Sequence, residues 1–234
     1  MKASLSMAGM VAAGVAAMGT VVALGVMGER ARTPQPEAER MPVAQHAPAG
    51  ETNQAQPAPK SDVTFPDNAF PKEWNFYPEK PDVQANLRRN VGRIVPALQV
   101  GEFLGEGGVK DLAELRGKPI LLDFWGTWCG PCRASIPHIN EIYEQHKDEL
   151  HVIGIHSTKQ ANMMVATAKK LEMAYPTAAD VGNRTASMLG VQWWPFYVLI
   201  DSQGKLRAAG MSSAHVGDAV QRLLDIEAGR WPEK

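Results

Sequence analysis

The spacing of apolar residues changes character several times along the chain. Residues 4–28 carry no charge, and residues 7–28 are Ala, Gly, Val and Met with one Leu and one Thr. That run exceeds the core of a signal peptide, about 7–15 residues. It matches the roughly 20 residues that cross a bilayer. Residues 1–30 therefore read as a transmembrane signal anchor, although the small residues at Ala23-Leu24-Gly25 keep cleavage open. Residues 31–60 are rich in Pro, Ala and Gln with few large apolar side chains. Such a stretch buries too little to offset its ordering entropy, so it is expected to be a disordered tether spanning about 30 Å.

Residues 61–90 are different again: Phe65, Phe70, Trp74, Phe76 and Tyr77 stand among prolines. This predicts an irregular extension packed on the domain that follows, with a short helix over 82–90. A docking segment for a partner is the alternative.

From residue 91 to 234 the periods are those of an α/β domain. Ile120–Trp125 is a near-continuous apolar strand interrupted by Asp123, as expected where helices cover both faces. Ile136, Ile139, Ile142 and Tyr143 recur at helical spacing over 133–147. A strand over 150–155 follows, and then an amphipathic helix over 161–173 with Met163, Met164, Val165, Ala168 and Leu171. Phe196–Ile200 and Leu206–Ala209 flank Asp201-Ser202-Gln203-Gly204-Lys205, a hairpin turn. Val220, Leu223, Leu224 and Ile226 mark a last helix over 216–228. The order predicts a mixed sheet with helices on both faces.

Charge narrows the function. A net charge of −1 offers no nucleic-acid surface. The only two cysteines are Cys129 and Cys132, so no scaffold of structural disulfides exists. A structural zinc site needs about four ligands, and His138 and His146 do not follow at finger-like spacing. His151 and His156 fall on opposite faces of their strand. The methionines of 161–173 read as core fillers rather than copper ligands. No metal and no cofactor is expected.

Candidate chemistry concentrates in Trp128-Cys129-Gly130-Pro131-Cys132. An apolar strand ends, the chain turns, and a thiol falls at the first turn of a helix. Unpaired backbone N–H groups and the helix dipole favour an anion there. Cys129 should therefore have a lowered pKa and be nucleophilic. Cys132, one turn later, lies within reach to close a disulfide with it. A pair of inert buried thiols is the bland alternative.

These five residues resemble the active-site motif of thioredoxin-like proteins, and the match continues on both sides. Asp123 stands six residues before the first cysteine, where thioredoxins carry a buried acid. Pro137 stands eight after it, where they carry a kinking proline. Gly92, Pro96 and the run Leu112-Ala113-Glu114-Leu115-Arg116-Gly117-Lys118-Pro119 resemble the opening of the TlpA/ResA-like branch, including a short hairpin between them. The resemblance covers about residues 91–226 and implies a thioredoxin-like fold.

It further implies a membrane-tethered thiol–disulfide oxidoreductase, a protein-disulfide reductase. Cys129 and Cys132 would be the redox-active disulfide, with Asp123 exchanging the proton of Cys132 through a water. Trp128, Gly130, Pro131, Trp194 and a cis Pro195 would border the substrate, with Trp193 and Trp194 adding apolar contact around Cys129. Implied partners are exported disulfide proteins, apocytochrome c among them, and a membrane thiol electron donor. The domain would face the extracytoplasmic, periplasmic side, with residues 7–28 in the membrane. The flanking charges, Lys2 against Arg30, Arg32 and Arg40, lean slightly the other way. Gly-Pro between the cysteines resembles the reducing thioredoxins, near about −270 mV.

Three departures stand out. Ser135 replaces the glutamate that many TlpA/ResA-like proteins carry. No lysine stands near Asp123 in the following strand. Trp194 replaces the usual Thr, Val or Ile. A thiol peroxidase and a redox-inert binding module remain as alternatives.

Overall fold

A computed structural model describes residues 63–66 and 69–231. The expected anchor over 1–30 and tether over 31–60 lie outside the described residues. Among the described residues no helix is long and apolar enough to cross a membrane. In chain order the elements are α1 (Pro81–Arg88), β1 (Ile120–Trp125), α2 (Gly130–His146), β2 (His151–His156), α3 (Met164–Lys170), β3 (Thr177–Ala179), α4 (Arg184–Leu189), β4 (Phe196–Ile200), β5 (Leu206–Ala209) and α5 (Val216–Glu227).

The strands form one sheet in the order β3-β2-β1-β4-β5. β1 is central, parallel to β2 and antiparallel to β4. Because successive side chains point to opposite faces, β1 feeds two cores. Leu122 and Phe124 join Ile153, Ile155, Val198 and Ile200, which pack with Val83 and Leu87 of α1 and Leu189 of α4. Leu121 joins Val152, Tyr197 and Leu199, which pack with Ile139 and Ile142 of α2 and Leu223 and Leu224 of α5. A smaller cluster of Trp125, Cys129, Cys132, Ile136, Met164 and Ala168 closes the end of the second face. This is the mixed sheet, covered on both faces, that the strand and helix periods predict.

Several elements differ from expectation. No hairpin forms after Pro96. The segment makes isolated bridges, Ile94 with Lys205 next to β5, then Val100 with Asp180 and Leu104 with Thr177 at β3. It thus runs from one edge of the sheet to the other, and Val95, Leu98 and Val100 bury against the face it crosses. The helix expected over 161–173 is a 3-10 turn, Ala161–Met163, followed by α3, which stops at Lys170. Glu172 sits at φ 51° just beyond it. Only Met164 and Ala168 of that stretch are buried. β3 and α4 were not expected; three and six residues are too short for a period to register.

The extension lies against the domain. Asn75 bridges Met211, and Trp74 stacks on His215 at 5.8 Å. The guanidinium of Arg222 lies 4.3 Å from the ring centres of both Trp74 and Trp231.

Candidate active site

The apolar run of β1 carries the chain to Gly126 and Thr127, and α2 starts three residues later. A side chain at Gly126 would meet Trp128 Nε1 at 2.9 Å, so glycine lets the indole fold back on the turn. Thr127 is held twice. Its N–H donates to His156 Nε2 at 3.0 Å, and its hydroxyl donates to Gln160 Oε1 at 3.0 Å.

Cys129 is the N-cap residue of α2, and Pro131 lies in the first turn, where its missing N–H costs no helix bond. Cys129 Sγ accepts the backbone N–H of Cys132 at 3.1 Å. The two sulfurs are bonded to each other, with Cα atoms 5.3 Å apart. Once the bond is reduced, that N–H and the helix dipole favour the thiolate at residue 129. Both cysteines are nearly covered, Cys129 at 4% exposure and Cys132 at 1%. Gly130 and Pro131 are exposed beside them.

Trp128, 38% exposed, forms much of the visible surface here. Its ring lies 5.7 Å from that of Trp194, and the Lys159 ammonium sits 5.1 Å above it. The Trp194–Pro195 peptide is cis, and Trp194 packs against the cysteine cluster. Trp193 does not. It turns the other way, meeting Tyr77 edge-on at 5.0 Å and Phe196 at 5.1 Å. The expectation that Trp193 lies around Cys129 is therefore corrected: its ring packs with the other core, against Phe196, and not with the cysteine cluster.

Asp123, on the same face of β1 as Leu121 and Trp125, is buried. Burial raises its carboxyl to about 7, against an opposing hydrogen bond from Tyr175. The Tyr175 hydroxyl donates to Asp123 Oδ2 at 2.6 Å. Asp123 Oδ1 is buried with no hydrogen-bond partner among the described residues. On β2 the residue opposite Asp123 is Gly154, so the group that reaches the acid is a tyrosine from the segment before β3. On β4 the opposite residue is Tyr197. Its hydroxyl donates to Ser135 Oγ at 3.0 Å, and Ser135 donates to the Cys132 carbonyl at 2.9 Å. Ser135 thus links the second cysteine to β4. Burial and the Asp123 charge both push the two tyrosine hydroxyls upward, so they stay protonated.

The structure brings Cys129, Cys132, Trp128 and Trp194 together, and Pro195 follows Trp194 through the cis peptide. It adds three residues that the sequence reading did not single out for this site: Tyr175, Tyr197 and, as a support, His156. His156 is fully buried, and burial lowers its pKa. A neutral ring accepting at Nε2 carries its proton on Nδ1. Its only visible signal was a polar residue at the end of an apolar strand. Among the described residues no group of three His, Cys, Asp or Glu side chains is placed to hold a metal ion.

Comparison with known proteins extends this geometry. The Redoxin family profile matches residues 90–223. Thiol-disulfide oxidoreductase ResA of Bacillus cereus is 30% identical over 132 residues, covering 56% of this chain and 72% of that protein. ResA of Geobacillus thermodenitrificans is 28% identical over 154 residues, covering 65% and 84%. The crystal structure of the thioredoxin domain of a thiol-disulfide oxidoreductase from Bacteroides vulgatus superposes with a TM-score of 0.50 at 21% identity, over 57% of this chain and 97% of that one. At that identity the structural likeness speaks for the fold, which is thioredoxin-like.

Proposed function

Because this chain belongs to the Redoxin family, in its ResA-like thiol–disulfide oxidoreductase branch, we propose that Cys129 and Cys132 are its working dithiol and that it reduces protein disulfides. The observation that carries the reading is Cys129 Sγ at the start of α2, accepting the Cys132 N–H, with a buried carboxyl in the strand that leads to it.

In the reduced enzyme the Cys129 thiolate attacks one sulfur of a substrate disulfide. A mixed disulfide forms and one substrate sulfur leaves as a thiolate. Cys132 then loses its proton and attacks Cys129 Sγ, which expels the second substrate thiolate and restores the Cys129–Cys132 bond. The substrate gains two electrons and the dithiol loses them. Asp123 is the acceptor for the Cys132 proton, since an acid near 7 can take and return it at neutral pH. Trp128, Gly130, Pro131, Trp194 and Pro195 border the incoming chain.

The finer reading is a domain held to a membrane by residues 1–30, facing the extracytoplasmic side. It draws electrons from a membrane thiol donor and serves exported disulfide proteins, with apocytochrome c as a candidate. Gly-Pro between the cysteines supports the reducing direction. A dithiol potential above about −180 mV would instead place the protein with isomerases and oxidants. The direct test is trapping. A Cys132→Ser variant should accumulate mixed disulfides through Cys129 that reductant releases. A variant that traps nothing, while the native protein stays active, removes the mechanism.

A further inference from the structure

The turn of chain that carries Trp194 past the dithiol is held largely by residues that precede the family match or stand at its first position, residue 90. Asn86, on α1, donates from Nδ2 to the Gly190 carbonyl at 3.3 Å. Asn90 donates from Nδ2 to the Met188 carbonyl at 3.2 Å. Gly190 takes φ 74°, and a side chain there would meet Asn86 Nδ2 at 3.0 Å, so the approach is close. Tyr77 then presses its edge on Trp193 at 5.0 Å, with Phe76 at 6.3 Å.

The clamp is itself anchored. Phe76 N–H donates to the Gly210 carbonyl at 3.1 Å, and the Trp74 carbonyl accepts from Ser212 N–H at 2.8 Å. The Gln84 side chain donates to the Tyr77 carbonyl at 3.1 Å and accepts from Asn75 at 3.1 Å. Three points along this stretch, Met188 at the end of α4, Gly190 at its cap and Trp193 in the loop, are thus tied to the extension. The next residue, Trp194, is the one that meets Trp128 beside the sulfurs.

We infer that residues 69–92 are a specificity element of the active site, in which Tyr77, Asn86 and Asn90 set where Trp194 stands and so govern the reading of a polypeptide substrate. This rests on the disulfide-reductase reading above and adds the substrate class: a disulfide within an extended polypeptide, which must pass along the Trp128–Trp194 surface. A small disulfide needs only Cys129. These three are positioning residues; none touches the sulfurs.

The experiment compares two disulfides, native insulin with its disulfides intact and 2-hydroxyethyl disulfide, on the full chain. Asn86→Asp keeps the shape and removes the donor. Tyr77→Ala removes the edge contact, and Tyr77→Phe retains it. Asn86→Asp and Tyr77→Ala are expected to raise KM for insulin roughly fivefold to tenfold, the size of one lost hydrogen bond. The value of kcat, the rate with 2-hydroxyethyl disulfide and the dithiol potential should hold, and Tyr77→Phe should restore the insulin KM. An unchanged insulin KM in Asn86→Asp, or equal losses with both disulfides, overturns the inference. A native protein that reduces neither disulfide instead overturns the reductase reading beneath it.

Discussion

The Tyr175 hydroxyl lies 2.6 Å from Asp123 Oδ2, so a buried acid without a lysine beside it is balanced by a phenol. Groups facing the carboxyl are Tyr175 from the segment before β3 and Tyr197 from β4. The tyrosines stay neutral, so Asp123 keeps an elevated pKa, and the consequences are measurable.

Asp123 makes folding stability fall as pH rises. Its folded value, about 7, stands above the ordinary carboxyl value of 3.8. The protonated acid is therefore favoured in the fold, and its contribution is complete below about 4 and lost as pH climbs through about 7. A displacement of that size corresponds to about 4 kcal/mol. In denaturant titrations Asp123→Asn should flatten this slope and be more stable than the native protein at pH 8. A native protein equally stable at pH 5 and pH 8 contradicts the burial argument.

Tyr175→Phe removes the one hydrogen bond that lowers the Asp123 pKa. The carboxyl should then titrate higher still. If Asp123 receives the Cys132 proton, the pH midpoint of mixed-disulfide resolution moves up with it. Stopped-flow resolution profiles of the two proteins, alongside carbon NMR of the labelled carboxyl, check both shifts. Coincident profiles would detach Tyr175 from the chemistry.

His156→Leu keeps the volume behind the active-site turn and takes away the acceptor for the Thr127 N–H. A buried donor left unmatched costs about 1–3 kcal/mol. Equilibrium unfolding should show a loss of that order, and hydrogen exchange at Thr127 should speed up. A stability equal to the native value would mean that the turn does not depend on this bond.

Trp194→Ala removes the indole that packs on the cluster holding Cys129, a residue only 4% exposed in the native protein. Reduction of the disulfide by a phosphine should be several-fold faster, while the apolar packing lost is about 1–3 kcal/mol for a half-covered ring. An unchanged reduction rate would show that the indole is not what limits access.

Much of the arrangement was readable before any coordinates. Ile120–Trp125 announced a doubly covered strand because every position in it is apolar except Asp123. The placing of Cys129 at a helix start follows from an apolar strand, a turn and a proline between the two cysteines. These are local properties, decided within a few residues by steric and dipolar preferences. The hairpin of β4 and β5 was legible for the same reason. The helix expected over 161–173 is longer than the observed one, and two of its five named apolar positions, Met163 and Val165, lie at the surface; periodicity cannot tell a surface methionine from a buried one.

By itself the sequence determined β1, α2, β2, the β4–β5 hairpin and α5, the pairing of two cysteines at one turn and the presence of an acid in the strand before them. Only the tertiary structure decided what surrounds that acid and what steadies the loop opposite. Tyr175 and Asp123 are 52 residues apart, Tyr197 and Ser135 62, and Asn86 and Gly190 104. Such partners are chosen by strand register and by how elements pack, and these depend on the whole sheet burying its apolar faces at once. No local preference of the chain carries that information.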